Sequence, residues 1–243
     1  EVLGIYYFGK NMLEKLRGLI TTSFSKVLFP VFSQLKNDRL KLSCAYLKIS
    51  KYIAIVSFPI FTGIAATAHL FVPLIFGEQW NESVIVFQVF SLTLLLLVLT
   101  ANVSTSLLYS INKPDAVFYI DAITNVLYFS SLLLFAPHGM IAILVVYCAY
   151  IIGKTLFLQY YTNKQLANSF LYYLSQIGSI LVISGLMVLG VYLFQKMAFR
   201  LQSLEKFISS VIIGVLLYTG LIAVWEKETV KELRKAFLRG RVH

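Results

Sequence analysis

The chain has 243 residues, of which 58% are hydrophobic and only 13% are charged, and its mean hydropathy is +0.79. This composition excludes an ordinary soluble domain, in which about 25% of the residues are charged. The net charge of +10 does not indicate a nucleic-acid partner, because the basic residues stand in short polar segments between long apolar runs, as membrane topology requires.

A chain inside a bilayer must satisfy its backbone hydrogen bonds within helices or a closed barrel. The apolar runs here are continuous and do not alternate, which favours helices. The sequence therefore predicts an all-α fold, a polytopic transmembrane helical bundle of about seven spans. The few cysteines and histidines are too scattered to form a disulfide or a metal site, and we expect neither metal nor cofactor; they are Cys44, Cys148, His69, His138 and His243.

The first predicted span, about residues 5–33, carries charge at membrane depth. At about 100° per residue, polar side chains fill one half of the helix and apolar side chains the other half. Glu14 stands four residues after Lys10 and three before Arg17, a spacing typical of helical ion pairs. We interpret the polar half as the wall of a water-filled cavity, with Lys10, Glu14, Arg17, Thr21 and Lys26 as candidate binding residues. A structural ion pair between helices and an amphipathic helix lying flat on the membrane are the alternatives.

The second span, about residues 45–76, contains Pro59 with Gly63 one turn later. This pair predicts a kink and a candidate hinge. Asn102 lies in the third span among small and hydroxyl residues, which indicate either close helix packing or a polar cavity wall. The remaining spans are predicted at about 83–110, 115–135, 140–162, 170–194 and 207–225, and a basic amphipathic stretch follows at 226–243.

The fourth span places Asp121 and Asn125 on one helix face, at i and i+4. Asp121 is either a cavity-lining or proton-linked carboxylate, or an aspartate wetted by headgroups near the end of its helix. Lys154, in the fifth span, is expected to extend its side chain toward the cytoplasmic surface.

The distribution of Lys and Arg predicts the orientation. The first, third and fifth loops and the C-terminal tail carry bases, whereas the second and fourth loops carry none. The positive-inside rule then places the odd loops and the C-terminus in the cytoplasm and Glu1 in the periplasm. The sixth loop is an exception, with Lys196, Arg200 and Lys206.

Several short motifs resemble one family of transporters. The chain opens with Leu3-Gly4-Ile5-Tyr6-Tyr7 and begins without Met or a signal peptide, so we interpret it as the C-terminal part of a longer membrane protein. Further along come Leu28-Phe29-Pro30-Val31-Phe32-Ser33-Gln34, Phe58-Pro59 and Phe76-Gly77-Glu78-Gln79-Trp80. In order and spacing these motifs resemble polysaccharide flippases of the Wzx type, in the colanic-acid exporter branch of the multidrug/oligosaccharidyl-lipid/polysaccharide exporter superfamily.

The resemblance implies a whole protein of about fourteen spans, in two six-helix lobes and a final pair. Residues 1–163 would be five helices of the second lobe, 164–225 the final pair, and 226–243 a basic cytoplasmic tail on anionic lipid. It implies transport of undecaprenyl-pyrophosphate-linked oligosaccharide across the bacterial inner membrane. The pyrophosphate calls for Lys or Arg in the cavity and the sugars for polar and aromatic side chains. Docking of a polymerase or glycosyltransferase on the tail is a further possibility without a sequence signal.

Two alternatives stay open at this point. One is an exporter of another substrate in the same superfamily, such as a peptidoglycan precursor or a drug. The other is a membrane-embedded glycan polymerase or ligase. We expect no enzyme, because the sequence contains no catalytic motif and no external loop long enough to hold catalytic acids.

Overall fold

The computed structural model describes residues 2–198, 201–229 and 231–232, and it contains α-helices and no strand in these ranges. Two 3-10 segments and one π-helical turn, Leu97–Ala101 between α3 and α4, interrupt or join the α-helices. The α-helices are α1 (Val2–Leu35), α2 (Arg39–Phe76), α3 (Val84–Leu96), α4 (Asn102–Ser110), α5 (Pro114–Phe135), α6 (Met140–Leu166), α7 (Phe170–Met197) and α8 (Ser203–Trp225), and the 3-10 segments are Glu78–Ser83 and Ala136–His138.

Six helical segments of the described chain are long and apolar enough to cross a membrane: α2, the continuous run from Glu78 to Ser110, α5 with its 3-10 end, α6, α7 and α8. This confirms the all-α polytopic bundle. Helix α1 has 34 residues, about 51 Å at 1.5 Å per residue, but it is not among the segments apolar enough to cross a membrane. Its transmembrane placement stays a prediction.

Local chemistry sets the helix boundaries. The Asp38 carboxylate caps α2 by accepting the backbone N–H of Lys41 at 3.0 Å, as N-cap residues do. Gly77 ends α2 with φ +96°, a conformation open to glycine and strained for other residues. Pro114 starts α5 at a position where its missing N–H is no loss. The predicted loops therefore lie where the helices end.

Two contacts mark the two ends of helix α2, which begins at Arg39 and ends at Phe76. At the Asp38 end, the Arg39 guanidinium donates to the carbonyl of Lys164 at 2.8 Å. At the opposite end, called the Gly77 end here, the rings of Phe8 and Trp80 lie 4.0 Å apart between centroids. Both contacts join segments that are distant in sequence.

Helix α2 is the central element, packed against α3, α7 and α8. Its side chains Tyr46, Phe61 and Ala68 are fully buried in the main core. Helices α7 and α8 pair with each other and form a small core of their own around Ile183 and Tyr218. The division into a lobe at 1–163 and a final pair at 164–225 stays a prediction.

A backbone carbonyl that Pro59 leaves without its helical hydrogen bond is bound by a side chain of α8. Pro59 lacks an N–H, so the carbonyl of Ile55, four residues earlier, cannot form its usual helical hydrogen bond. The hydroxyl of Tyr218 donates to this carbonyl at 2.7 Å. A freed backbone group at membrane depth is thus satisfied by a neighbouring helix. Helix α2 is continuous through Pro59 and Gly63, and their role as a hinge stays a prediction.

Candidate functional site

A polar cavity of about 500 Å³ lies between α1, the π-turn with α4, α5 and α6. Its lining contains three cations, Lys10, Arg17 and Lys154, and one carboxylate, Glu14. Lys10, Glu14 and Arg17 reach it together because positions i, i+4 and i+7 share one helix face. Part of the polar half of the first helix therefore faces a cavity between the helices.

Glu14 had two possible cationic neighbours on its own helix, and the structure pairs it with Arg17. The Arg17 Nε donates to the Glu14 Oε2 at 2.7 Å, and both side chains are only 28% exposed. Both charges of this pair are compensated within one turn, which lowers the free energy of holding them in a low-dielectric environment.

Lys10 has a different environment. Its ammonium lies over the rings of Tyr6 and Tyr147, 5.8 Å from each centroid, within the range of cation–π attraction. No carboxylate of the described residues lies within 4 Å of it. The charge of Lys10 is therefore held by aromatic faces and is available to an anion that enters the cavity.

The third cation of the lining, Lys154, is paired with a carboxylate that does not itself line the cavity. The Lys154 ammonium lies 2.8 Å from the Asp121 Oδ1, so α6 and α5 are joined by an ion pair. The Lys154 side chain is 18% exposed, and its extension toward the cytoplasmic surface stays a prediction. Asp121 reaches the cavity only through this pairing, and whether it also exchanges protons stays a hypothesis.

Asn102 lines the cavity directly after the π-helical turn that joins α3 to α4. It is the first residue after the π-turn, whose extra residue per turn shifts the faces of α4 relative to α3. Its side-chain Nδ2 is buried and has no hydrogen-bond partner among the described residues. A buried donor without a partner is unfavourable unless water or a ligand accepts from it.

Aromatic residues complete the lining, and the two tyrosines of α6 were not predicted from the sequence. Tyr147 and Tyr150 stand on α6 at three-residue spacing and Lys154 follows four residues later, a stripe that could have been found as i, i+3, i+7. Tyr128 from α5 lies against Tyr150 with ring centroids 4.6 Å apart. These rings give the cavity a flat apolar wall beside its charges.

The other predicted residues lie outside the lining. Asn125 accepts a hydrogen bond from the Tyr150 hydroxyl at 3.1 Å and so supports the wall from behind. The Thr21 hydroxyl bonds to the carbonyl of Gly18 within α1, and Lys26 is exposed. Ser25 is the α1 residue of that region that borders the cavity.

The opposite half of α1 borders a second cavity. This apolar groove of about 630 Å³ lies between α1, α2, α7 and α8, and Met12, Leu13 and Leu16 line its α1 side. Pro59 and Gly63 line its α2 side. The two candidate hinge residues therefore face the groove and not the polar cavity.

A cluster of ion pairs joins α2 to the residues after α8 at the Asp38 end. The Lys51 ammonium lies 2.7 Å from the Glu226 Oε2. Burial raises the pKa of the Glu226 carboxyl, but hydrogen bonds from Lys51, Ser179 and Thr229 outweigh it and hold the pKa below its ordinary value. The predicted basic tail extends from here, and its residues 233–243 lie outside the described residues.

No metal centre is indicated. Among the described residues, no three His, Cys, Asp or Glu side chains form a group that could hold an ion.

Comparison with known proteins identifies relatives of the chain. The family described as "Polysaccharide biosynthesis protein" matches residues 1–85. The teichuronic acid biosynthesis protein TuaB of Bacillus subtilis is 28% identical over 98% of this chain and 50% of its own length. The lipopolysaccharide biosynthesis protein WzxC of Escherichia coli is 38% identical over 30% of this chain and 14% of its own length. No solved structure matches.

The chain is therefore related to proteins named for bacterial polysaccharide biosynthesis, which confirms the resemblance indicated by its opening motifs. It is a multi-pass membrane protein. It spans about half the length of TuaB and a smaller share of WzxC.

Proposed function

We propose that this chain belongs to a flippase that moves undecaprenyl-pyrophosphate-linked oligosaccharide units across the bacterial inner membrane for surface polysaccharide synthesis. The names of its relatives supply the pathway, since TuaB and WzxC are named for teichuronic acid and lipopolysaccharide biosynthesis. The polar cavity supplies the physical basis. We propose a carrier and not an enzyme.

The observation that carries the proposal is the environment of Lys10. A cation without a carboxylate partner is unfavourable at membrane depth unless an anion visits it. Arg17 and Lys154 are already compensated by Glu14 and Asp121, so the cavity keeps one uncompensated positive charge, at Lys10. A pyrophosphate bound there would receive a charge-assisted hydrogen bond in a site with restricted access to water.

The remaining lining suits the sugars. Tyrosine faces offer flat apolar surfaces to the C–H side of a pyranose ring, and their hydroxyls offer hydrogen bonds. The unsatisfied Nδ2 of Asn102 can donate to a sugar hydroxyl. The lipid tail would stay in the membrane while the headgroup crosses, in alternating access of the kind found in two-lobed carriers.

The positive cavity argues against an exporter of organic cations, because such a substrate would be repelled by Lys10. A peptidoglycan precursor carries the same lipid pyrophosphate, so Lys10 would suit it equally. The names of the relatives favour surface polysaccharide.

The test is complementation in a strain that lacks the gene, with surface polysaccharide as the readout. Lys10→Ala in the full-length protein is expected to lower export at least about tenfold, because one charge-assisted contact is removed. Lys15→Ala is the matched control, since Lys15 lies on the same helix, is exposed and does not line the cavity. Lys10→Arg should keep part of the activity. Normal export by Lys10→Ala at normal protein level would contradict the proposal.

We also propose the orientation, with the Asp38 end and the C-terminus in the cytoplasm and Glu1 in the periplasm. In a background of Cys44→Ser and Cys148→Ala, a cysteine at Gln79 should react with an impermeant reagent in intact cells. A cysteine at Asn37 should react only after permeabilisation. The reverse pattern would overturn the orientation. The basic tail would then lie on anionic lipid of the inner leaflet.

A further inference from the structure

A second polar cavity, of about 450 Å³, lies at the Gly77 end between α2, α3, α7 and α8. Its polar lining consists of His69, Gln88, Tyr192, Gln195, Lys196 and Lys206, and we call it the Gly77-end pocket. It contains no residue of the Lys10 cavity. Its chemistry is therefore independent of the proposed transport site.

The pocket explains an exception in the charge distribution. Lys196 and Lys206 are two of the three bases of the sixth loop, the loop that breaks the alternation of positive charge. In the predicted orientation the sixth loop is periplasmic, and the positive-inside rule disfavours lysines in a periplasmic loop. The structure places both side chains on one pocket, facing His69 of a different helix, and a shared ligand would account for them.

The lysines of the pocket differ from three lysines at the Asp38 end. There, the ammonium groups of Lys41, Lys48 and Lys51 each lie within 3.0 Å of a carboxylate. In the Gly77-end pocket, no carboxylate of the described chain lies within 4 Å of Lys196 or Lys206. The nearest acidic residue in sequence, Glu205, precedes Lys206 without pairing with it.

The remaining lining adds donors and an apolar wall. Gln195 is 7% exposed and its Nε2 donates to Ser210 of α8 at 3.3 Å, which ties the two helices together beneath the lysines. Gln88 enters from α3. Ala65, Ala66 and Val188 form the apolar part of the pocket.

The depth of the pocket matches a lipid headgroup. Lys196 is the second-last residue of α7, and Lys206 is the fourth residue of α8. His69 lies seven residues before the end of α2, about 10 Å along the helix. Cations at the helix ends with apolar residues further in are arranged as a phospholipid is, with its phosphate outside and its chains inside.

We infer that the Gly77-end pocket binds the phosphate group of a membrane lipid. Lys196 and Lys206 would hold the phosphate charge, and His69 and Gln88 would donate hydrogen bonds to its oxygens. The source of the phosphate is either a bulk anionic phospholipid or a polyprenyl phosphate. Both share the same group, and the experiment separates them.

The test titrates lipids onto the purified full-length protein and counts bound lipid by native mass spectrometry. The probes are phosphatidylglycerol, undecaprenyl phosphate and diacylglycerol, which has no phosphate. The double variant Lys196→Gln/Lys206→Gln is expected to lower the affinity for at least one phosphate lipid about tenfold, as two lost cations predict. Binding of diacylglycerol should not change. Because both lysines lie at helix ends, the variant should fold, and Lys196→Arg/Lys206→Arg should retain binding.

The matched control is Lys36→Gln/Lys113→Gln, which removes two exposed lysines from the Asp38 end. A loss specific to phosphatidylglycerol would identify bulk lipid as the source, and a loss specific to undecaprenyl phosphate would identify the carrier lipid. An unchanged affinity for both phosphate lipids, or an equal loss in the control, would overturn the inference. The Gly77-end pocket shares no residue with the Lys10 cavity, so unchanged lipid binding by the Lys196→Gln/Lys206→Gln variant would overturn this inference and leave the proposed transport untouched, whereas normal export by Lys10→Ala would do the reverse.

Discussion

Helix α1 borders two cavities of similar size and opposite chemistry. The polar cavity, about 500 Å³, receives Lys10, Glu14 and Arg17. The apolar groove, about 630 Å³, receives Met12, Leu13 and Leu16 from the other half of the same helix. Part of the charged half thus lies beside polar and aromatic groups of the bundle, while the apolar half is buried at Leu13 and exposed at Leu19 and Val27.

The cations of the polar cavity are held in two different ways. Arg17 and Lys154 are each paired with a carboxylate, at 2.7 and 2.8 Å. Lys10 is held by two tyrosine rings. The paired cations are largely neutralised, whereas the aromatic faces leave the charge of Lys10 free to attract an anion.

The largest effect is expected from placing a charge on the apolar half. Leu13 is 2% exposed and lines the groove, so Leu13→Lys puts an unpaired ammonium among apolar side chains. This should lower stability by about 3 kcal/mol. The measurement is the amount of protein in the membrane fraction and its unfolding temperature in detergent.

The matched control is Asn11→Lys, which adds the same charge at an exposed position of the same helix. It should accumulate to normal levels. Equal losses in both variants would show that the two halves of α1 do not differ in the way described.

A smaller effect is expected from the ion pair behind the polar cavity. Asp121→Asn leaves Lys154 uncompensated and should weaken transport, measured as surface polysaccharide in complemented cells. If Asp121 serves only to neutralise Lys154, the double variant Asp121→Asn/Lys154→Gln should recover transport. If Asp121 carries protons, the double variant should stay impaired. Normal transport by Asp121→Asn alone would show that Asp121 has only a structural role.

The next effect in size is expected at Gly9, where α1 packs closely against Val86 of α3. A Cβ at Gly9 would lie 2.8 Å from the Cγ1 of Val86, a stiff side chain on α3. Gly9→Ala should therefore push α1 away from α3 and lower the free energy of unfolding by about 2 kcal/mol. Gly18→Ala meets no atom within 4 Å and should be neutral or slightly stabilising. Thermal unfolding of both variants in detergent tests the difference.

The smallest effect is expected from the ion pair between Lys51 of α2 and Glu226, which directly follows α8. This pair holds the end of α8 against α2, and both helices line the apolar groove. Glu226→Gln should lower stability by about 1 kcal/mol at neutral pH. Since the pKa of Glu226 is lowered in the folded protein, its contribution is present above the ordinary carboxyl pKa and is lost as the pH falls through the folded-state value. The difference between wild type and variant should therefore shrink in acid, and a difference independent of pH would contradict this.

Much of the fold followed from local pattern. Apolar runs and turn residues such as Asp38 and Gly77 fixed the helices, and the polar half of α1 indicated the cavity. The candidates that failed to reach the lining, Thr21 and Lys26, lie on the same half of the helix. A helical wheel shows which half a side chain lies on, but not which side chains of that half the neighbouring helices leave facing the cavity, and Ser25, further along α1 than Thr21, does border it.

The sequence by itself determined that this chain forms membrane helices and that its first helix has a charged half, because period and composition are properties of a single segment. Only the tertiary structure decided which charges are compensated. It paired Glu14 with Arg17, joined Asp121 to Lys154 across two helices, surrounded Lys10 with tyrosines and brought Lys196 and Lys206 to His69. The physical reason is that an ion pair depends on a separation of a few ångströms between side chains, and helix packing sets that separation for groups far apart in the chain.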